Sequence, residues 1–195
     1  MTTAETAPRP APESASPPPP EPSWILLFWR LPAALAAIVF ALDQTTKWLV
    51  LRAWPGESPF PQVELIPGFF SLVHYRNQGA AWGIFSDHTS LLALVSLLVM
   101  VGMVAFFRHL TEDVPERAVA LGVVLGGVAG NLWDRLFRRE VVDFLLFYWR
   151  DWQTRSFPAF NVADSAITCG IAVFILSSLF RREKEAGPTP AGGDA

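Results

Sequence analysis

At 195 residues, with 51% of them hydrophobic and only 17% charged, the chain reads as a polytopic membrane protein rather than a soluble domain. Its net charge of −3, without a basic stripe interleaved with aromatics, argues against a nucleic-acid partner. One cysteine, Cys169, excludes an internal disulfide and any zinc-type Cys/His spacing; within its apolar run it reads as a small buried hydrophobe.

In chain order, "MTTAETAPRPAPESASPPPPEP" lacks the basic start and apolar core of a signal peptide, and its proline content predicts a disordered tail over 1–23. A bilayer core of ~30 Å asks for roughly 20 apolar residues per helix. Four segments within a membrane domain of 24–182 come close to that length. The first runs from about Trp24 to Leu51, broken by Arg30, Asp43 and Lys47. The second, 90–107, carries no charge, the third spans 118–133, and the fourth, 162–180, has one acid near its start. Residues 183–195 read as a second disordered tail.

An even number of spans puts the two long connections, 52–89 and 134–161, on one side. Within the first, "GFFSLVHYRN" has the β-branched and aromatic content of a strand, and "NQGAAWG" supplies turn residues. A small extramembrane β-element is therefore expected where those connections meet. Charge counting does not orient the chain, since lysines and arginines are about evenly divided between the sides; Arg181, Arg182 and Lys184 lean towards a cytoplasmic C-terminus.

Polar residues gather at segment ends. Gly122, Gly126 and Gly130 repeat every four residues and form a stripe along which another helix can approach closely. Asp134 continues that stripe, and Gly127, Asn131 and Arg135 form its neighbour. Asp43 and Lys47 share a helix face, as a structural ion pair or as part of a site. Asn161 suits a helix N-cap and Asp164 a first-turn acid. Asp143 stands among eight apolar or aromatic residues in "VVDFLLFYW", where a charge is costly unless paired, wet or kept for chemistry. If these ends share one side, the groups converge on one pocket.

No HExxH or GxSxG occurs, and His74, His88 and His109 are dispersed, which leaves carboxylates as candidates for catalysis. Two carboxyls held together share one proton and can activate a water between them, the arrangement of aspartic proteases. A proton-coupled transporter is the alternative, although its acids belong nearer the span midpoints and no repeat is visible. A structural membrane adaptor would leave Asp143 and Asp164 without purpose.

Five stretches in order, "DQTTK" (43–47), "NQGAAWGIF" (77–85), "GGVAGNLWDR" (126–135), "VVDF" (141–144) and "FNVADSAI" (160–167), resemble the lipoprotein signal peptidase family, also called signal peptidase II. Trp82 stands where many members have Phe. The resemblance implies an all-α integral membrane fold of four transmembrane helices with a small extracytoplasmic β-cradle, both termini being cytoplasmic in a bacterial inner membrane. It implies Asp143 and Asp164 as catalytic residues, Asp143 held in a loop over the outer leaflet. Asn77, Gly79, Asn131, Arg135 and Asn161 would serve substrate binding or support. Asp134 would be structural or supporting, and Asp43 and Lys47 a supporting pair near the lipid-binding side. The implied substrate is a lipid-modified prolipoprotein, cut before its diacylglyceryl cysteine by a monomer in contact with membrane lipid, with no metal or cofactor. The substrate's signal helix is expected against the Gly122–Gly126–Gly130 stripe or a neighbouring groove.

Overall fold

The computed structural model describes residues 23–56, 58–79 and 88–186. Both expected tails lie almost wholly outside these residues, as do Trp82 and most of the turn expected after Asn77. Among the described residues there are five helices and three strands: α1 Ser23–Ala53, β1 Ser58–Ile66, β2 Phe70–Asn77, α2 Thr89–Ala105, α3 Phe107–Thr111, α4 Pro115–Phe137, β3 Val141–Phe147 and α5 Val162–Ala186. Within α1, α4 and α5 lie stretches long and apolar enough to cross a membrane, while α2 is apolar but only 17 residues long. The helix expected at 90–107 thus breaks at Phe106 into α2 and the short α3, and α5 runs past the expected end of the membrane domain at 182.

Helix α4 is central, with 61% of its span buried inside the protein against 17% for α1 and 11% for α5. Its glycines explain how neighbours come so close. A Cβ on Gly122 would stand 2.5 Å from the Pro32 carbonyl oxygen, and one on Gly126 2.5 Å from that of Ala36, so α1 lies directly on this stripe. Gly127 meets the Ala163 carbonyl of α5 in the same way. The stripe is therefore filled by α1, which corrects the expectation that a substrate helix lies there. The outward faces keep Ile38, Leu42, Leu49, Leu98, Val104, Ile175 and Leu179 exposed, as lipid-facing helices require.

The sheet has the order β1-β2-β3, antiparallel throughout. A tight turn at Pro67 and Gly68 (φ 74°) joins β1 to β2, whereas β3 arrives from the far side of three helices and pairs Tyr75 with Asp143 and Asn77 with Val141. Asp143 consequently lies on a strand, not in a loop. Strand β3 is buried on both faces: Val142 and Phe144 pack on Val50 of α1 with Leu51 and Trp54, which turns Asp143, between them, to the opposite face. His74 ties the sheet to the end of α1, its Nδ1–H donating to the carbonyls of Trp54 (2.7 Å) and Gly56 (3.0 Å). A bridge between Leu145 and Phe160 then delivers the chain to the start of α5 beside β3.

Candidate active site

Between the sheet, the C-terminal end of α4 and the N-terminal end of α5 lies a cavity of about 900 Å³. Asn77 at the end of β2, Gly79 just after it, Asn131 and Arg135 of α4, Asp143 of β3 and Asp164 of α5 all line it. Its remaining wall is largely apolar, with Val73, Leu146, Trp152, Phe157 and Phe160 from the sheet and the segment before α5.

Helix α5 begins with a reciprocal cap. Asn161 Oδ1 accepts the backbone N–H of Asp164 at 2.9 Å, and Asp164 Oδ2 accepts the backbone N–H of Asn161 at 3.2 Å. This box fixes the amide of Asn161 so that its Nδ2 points away from the helix, donating to Asp143 Oδ1 at 2.7 Å and to Asn131 Oδ1 at 3.2 Å. Asn131 in turn donates from Nδ2 to Asp164 Oδ1 at 2.7 Å. The second oxygen of Asp143 accepts from Asn77 Nδ2 at 2.9 Å, and Asn77 Oδ1 takes the N–H of Gly79 at 3.0 Å. Two carboxyl groups are thus joined through two asparagines, with no cation in direct contact with either among the described residues.

Asp143 is 1% exposed. Burial pushes its carboxyl up to about 7, and the charge of Asp164 pushes the same way; the hydrogen bonds from Asn77 and Asn161 and the charge of Lys47 oppose the rise without cancelling it. Arg135 lines the same cavity, its one hydrogen bond among the described residues being to the carbonyl of Asn131 at 3.4 Å, so most of its donors remain free.

Asp43, Lys47 and Asp134 do not line the cavity. They are fully buried beneath it, with Lys47 Nζ 2.8 Å from Asp43 and 2.8 Å from Asp134. Gln44 and Arg138, which the sequence reading passed over, complete this cluster: Arg138 contacts Asp134 and donates to Gln44 Oε1 at 2.8 Å. Their signals were present, Gln44 inside "DQTTK" and Arg138 one turn after Asp134. Cys169 differs from its expected burial. It is exposed and stands on the cavity wall, along α5 from Asp164 and Thr168. Among the described residues no group of three His, Cys, Asp or Glu side chains is placed to hold a metal ion.

The chain has counterparts among known proteins. A family model described as Signal peptidase (SPase) II matches residues 35–180, most of the chain. The chain belongs to the signal peptidase II family. Curated relatives named lipoprotein signal peptidase include one from Geobacillus thermodenitrificans, 42% identical over 78% of this chain and 92% of its own length. Another, from Nitratidesulfovibrio vulgaris, is 38% identical over 86% of this chain and 97% of its own. A solved structure of a bacterial membrane enzyme, determined by the in meso method at 2.3 Å, superposes with a TM-score of 0.68 at 28% identity and covers 86% of this chain and 96% of its own. Membership in signal peptidase II makes the chain a peptidase, and its long apolar helices and bacterial relatives make it a bacterial membrane protein.

Proposed function

We propose that this signal peptidase is an aspartic endopeptidase that acts on lipid-modified prolipoproteins, with Asp143 and Asp164 as its dyad. The observation that carries the reading is that both acids line one cavity and are linked through two asparagines, Asn161 on Asp143 and Asn131 on Asp164. With its carboxyl raised to about 7, Asp143 keeps a proton near neutrality, whereas Asp164 heads a helix whose N-terminus favours negative charge. Asp164 takes a proton from a water, whose oxygen bonds to the scissile carbonyl carbon. Asp143 donates its proton to the carbonyl oxygen as the tetrahedral intermediate forms. Collapse breaks the C–N bond: the proton on Asp164 passes to the leaving nitrogen, and the hydroxyl proton returns to Asp143.

The bond cut is the one before the diacylglyceryl cysteine, which becomes the new N-terminus. Arg135 and Asn77 sit where they can hold substrate carbonyls, and the apolar wall suits residues of a signal peptide. Four spans with both termini cytoplasmic, α2 completing the set, would place the sheet and cavity at the outer leaflet. There the lipid chains remain in the bilayer while only the scissile bond enters the polar cavity. A monomer suffices, because both acids come from one chain.

The test uses the purified full chain in detergent with a lipidated prolipoprotein. Asp143→Asn and Asp164→Asn should each abolish cleavage with folding retained, and a chelator should change nothing. Cleavage that persists in either variant, or stops on chelation, overturns the mechanism.

A further inference from the structure

The charged groups beneath the cavity balance, Lys47 and Arg138 against Asp43 and Asp134, and Gln44 closes the cluster by donating to Asp43 and Asp134. More telling is where its contacts leave it. Asp43 Oδ1 accepts the backbone N–H of Ala163 at 3.0 Å, and Ala163 precedes Asp164. Asp134 Oδ2 lies 3.5 Å from the backbone nitrogen of Val142, which precedes Asp143. The third hydrogen of the Lys47 ammonium goes to Asn131 Oδ1 at 2.9 Å, on the amide that serves Asp164. Each contact falls beside one of the two cavity acids.

We propose that Lys47 is a positioning residue for the dyad: it joins Asp43 to Asp134, fixing the approach of α5 to β3, and it dictates which end of the Asn131 amide faces Asp164. The inference rests on the dyad reading above. An ammonium only donates, whereas an amide has one accepting and one donating end. With Lys47 in place, an inverted Asn131 would turn its NH₂ towards a cation and its oxygen towards a carboxylate. Both contacts are unfavourable, and burial magnifies them. The capping box anchors Asn161 independently, so Lys47 and Asn161 both point donors at Asn131 Oδ1 and leave its Nδ2 for Asp164. Lys47 is 0% exposed, so it touches no substrate and reaches the cavity through Asn131, through the backbones of α5 and β3, and through its charge.

Lys47→Met alone leaves the buried Asp43 without a cation, so the decisive variant is Lys47→Met with Asp43→Asn. It removes one charge of each sign, keeps an oxygen for the Ala163 N–H, and leaves Asp134 with Arg138. In the purified full chain, with folding followed by thermal unfolding in detergent, KM should hold. The turnover kcat should fall about a hundred-fold, the loss that a misplacement of roughly 1 Å can bring. The alkaline limb of the kcat–pH profile should move up, because Asp143, which also faces Asp164 of α5 and Arg135 of α4, loses the cation of α1 that favours its ionised form. Lys47→Arg, which keeps the cation, should leave that limb in place. A folded double variant with unchanged kcat and limb, or with a loss confined to KM, overturns the proposal. Activity surviving Asp143→Asn or Asp164→Asn would sink the dyad reading as well, whereas inactive dyad variants beside an unaffected double variant sink this inference alone.

Discussion

Four acids, three of them buried and Asp164 partly so, lie within or just under one end of this molecule, and they fall into two pairs treated differently. Asp43 and Asp134 are closed off, each touching Lys47, with Arg138 also on Asp134. Asp143 and Asp164 face a cavity and, among the described residues, are met by amides alone. Cationic partners tie a carboxylate into the framework, while amide partners orient a carboxyl and still let its proton move. Sequence alone ranks Asp134 beside Asp143; the identity of the neighbours separates them.

That contrast can be broken most sharply at the cavity pair, where loss of either acid should cost at least the 10²–10⁴-fold ascribed to general acid–base catalysis, with the melting temperature little changed. Asp134→Leu should lower stability as well as turnover. It leaves Lys47 short of a partner in a buried site, so stability should fall by about 3–5 kcal/mol in detergent unfolding. Asn77→Ala removes a hydrogen bond that favours the ionised form of Asp143, so its carboxyl should rise further from its value of about 7 and the alkaline limb of activity should move up. In the parent enzyme, activity should decline as pH rises through about 7, where Asp143 loses its proton. The smallest effect belongs to the partly exposed pair Arg76–Glu140, where Arg76→Ala should change stability by no more than about 1 kcal/mol.

Much of this was legible in the sequence because it is local. Asp43 and Lys47 lie one turn apart, Asn161 and Asp164 have cap spacing, and the glycines of α4 repeat every four residues. What stayed hidden depends on partners distant in sequence. Strand β3 does not alternate because both its faces are buried, so "VVDFLLF" shows no strand period. Strand β1 contains Pro59 and Pro61, which mask a strand that lies at the sheet edge, where proline is tolerated. The short α3 reads as a continuation of the apolar run before it. The link from Lys47 to Asp134 spans most of the fold, and no periodicity announces such a contact.

Cys169 has a practical consequence. It is the chain's sole thiol, it is exposed, and it stands on the wall of the same chamber as both acids. Alkylation of the unmodified enzyme should therefore gauge occupancy: a ligand that fills the chamber slows labelling, and a ligand bound elsewhere does not. Since no second sulfhydryl competes, that signal separates binding from turnover even in variants that no longer cut.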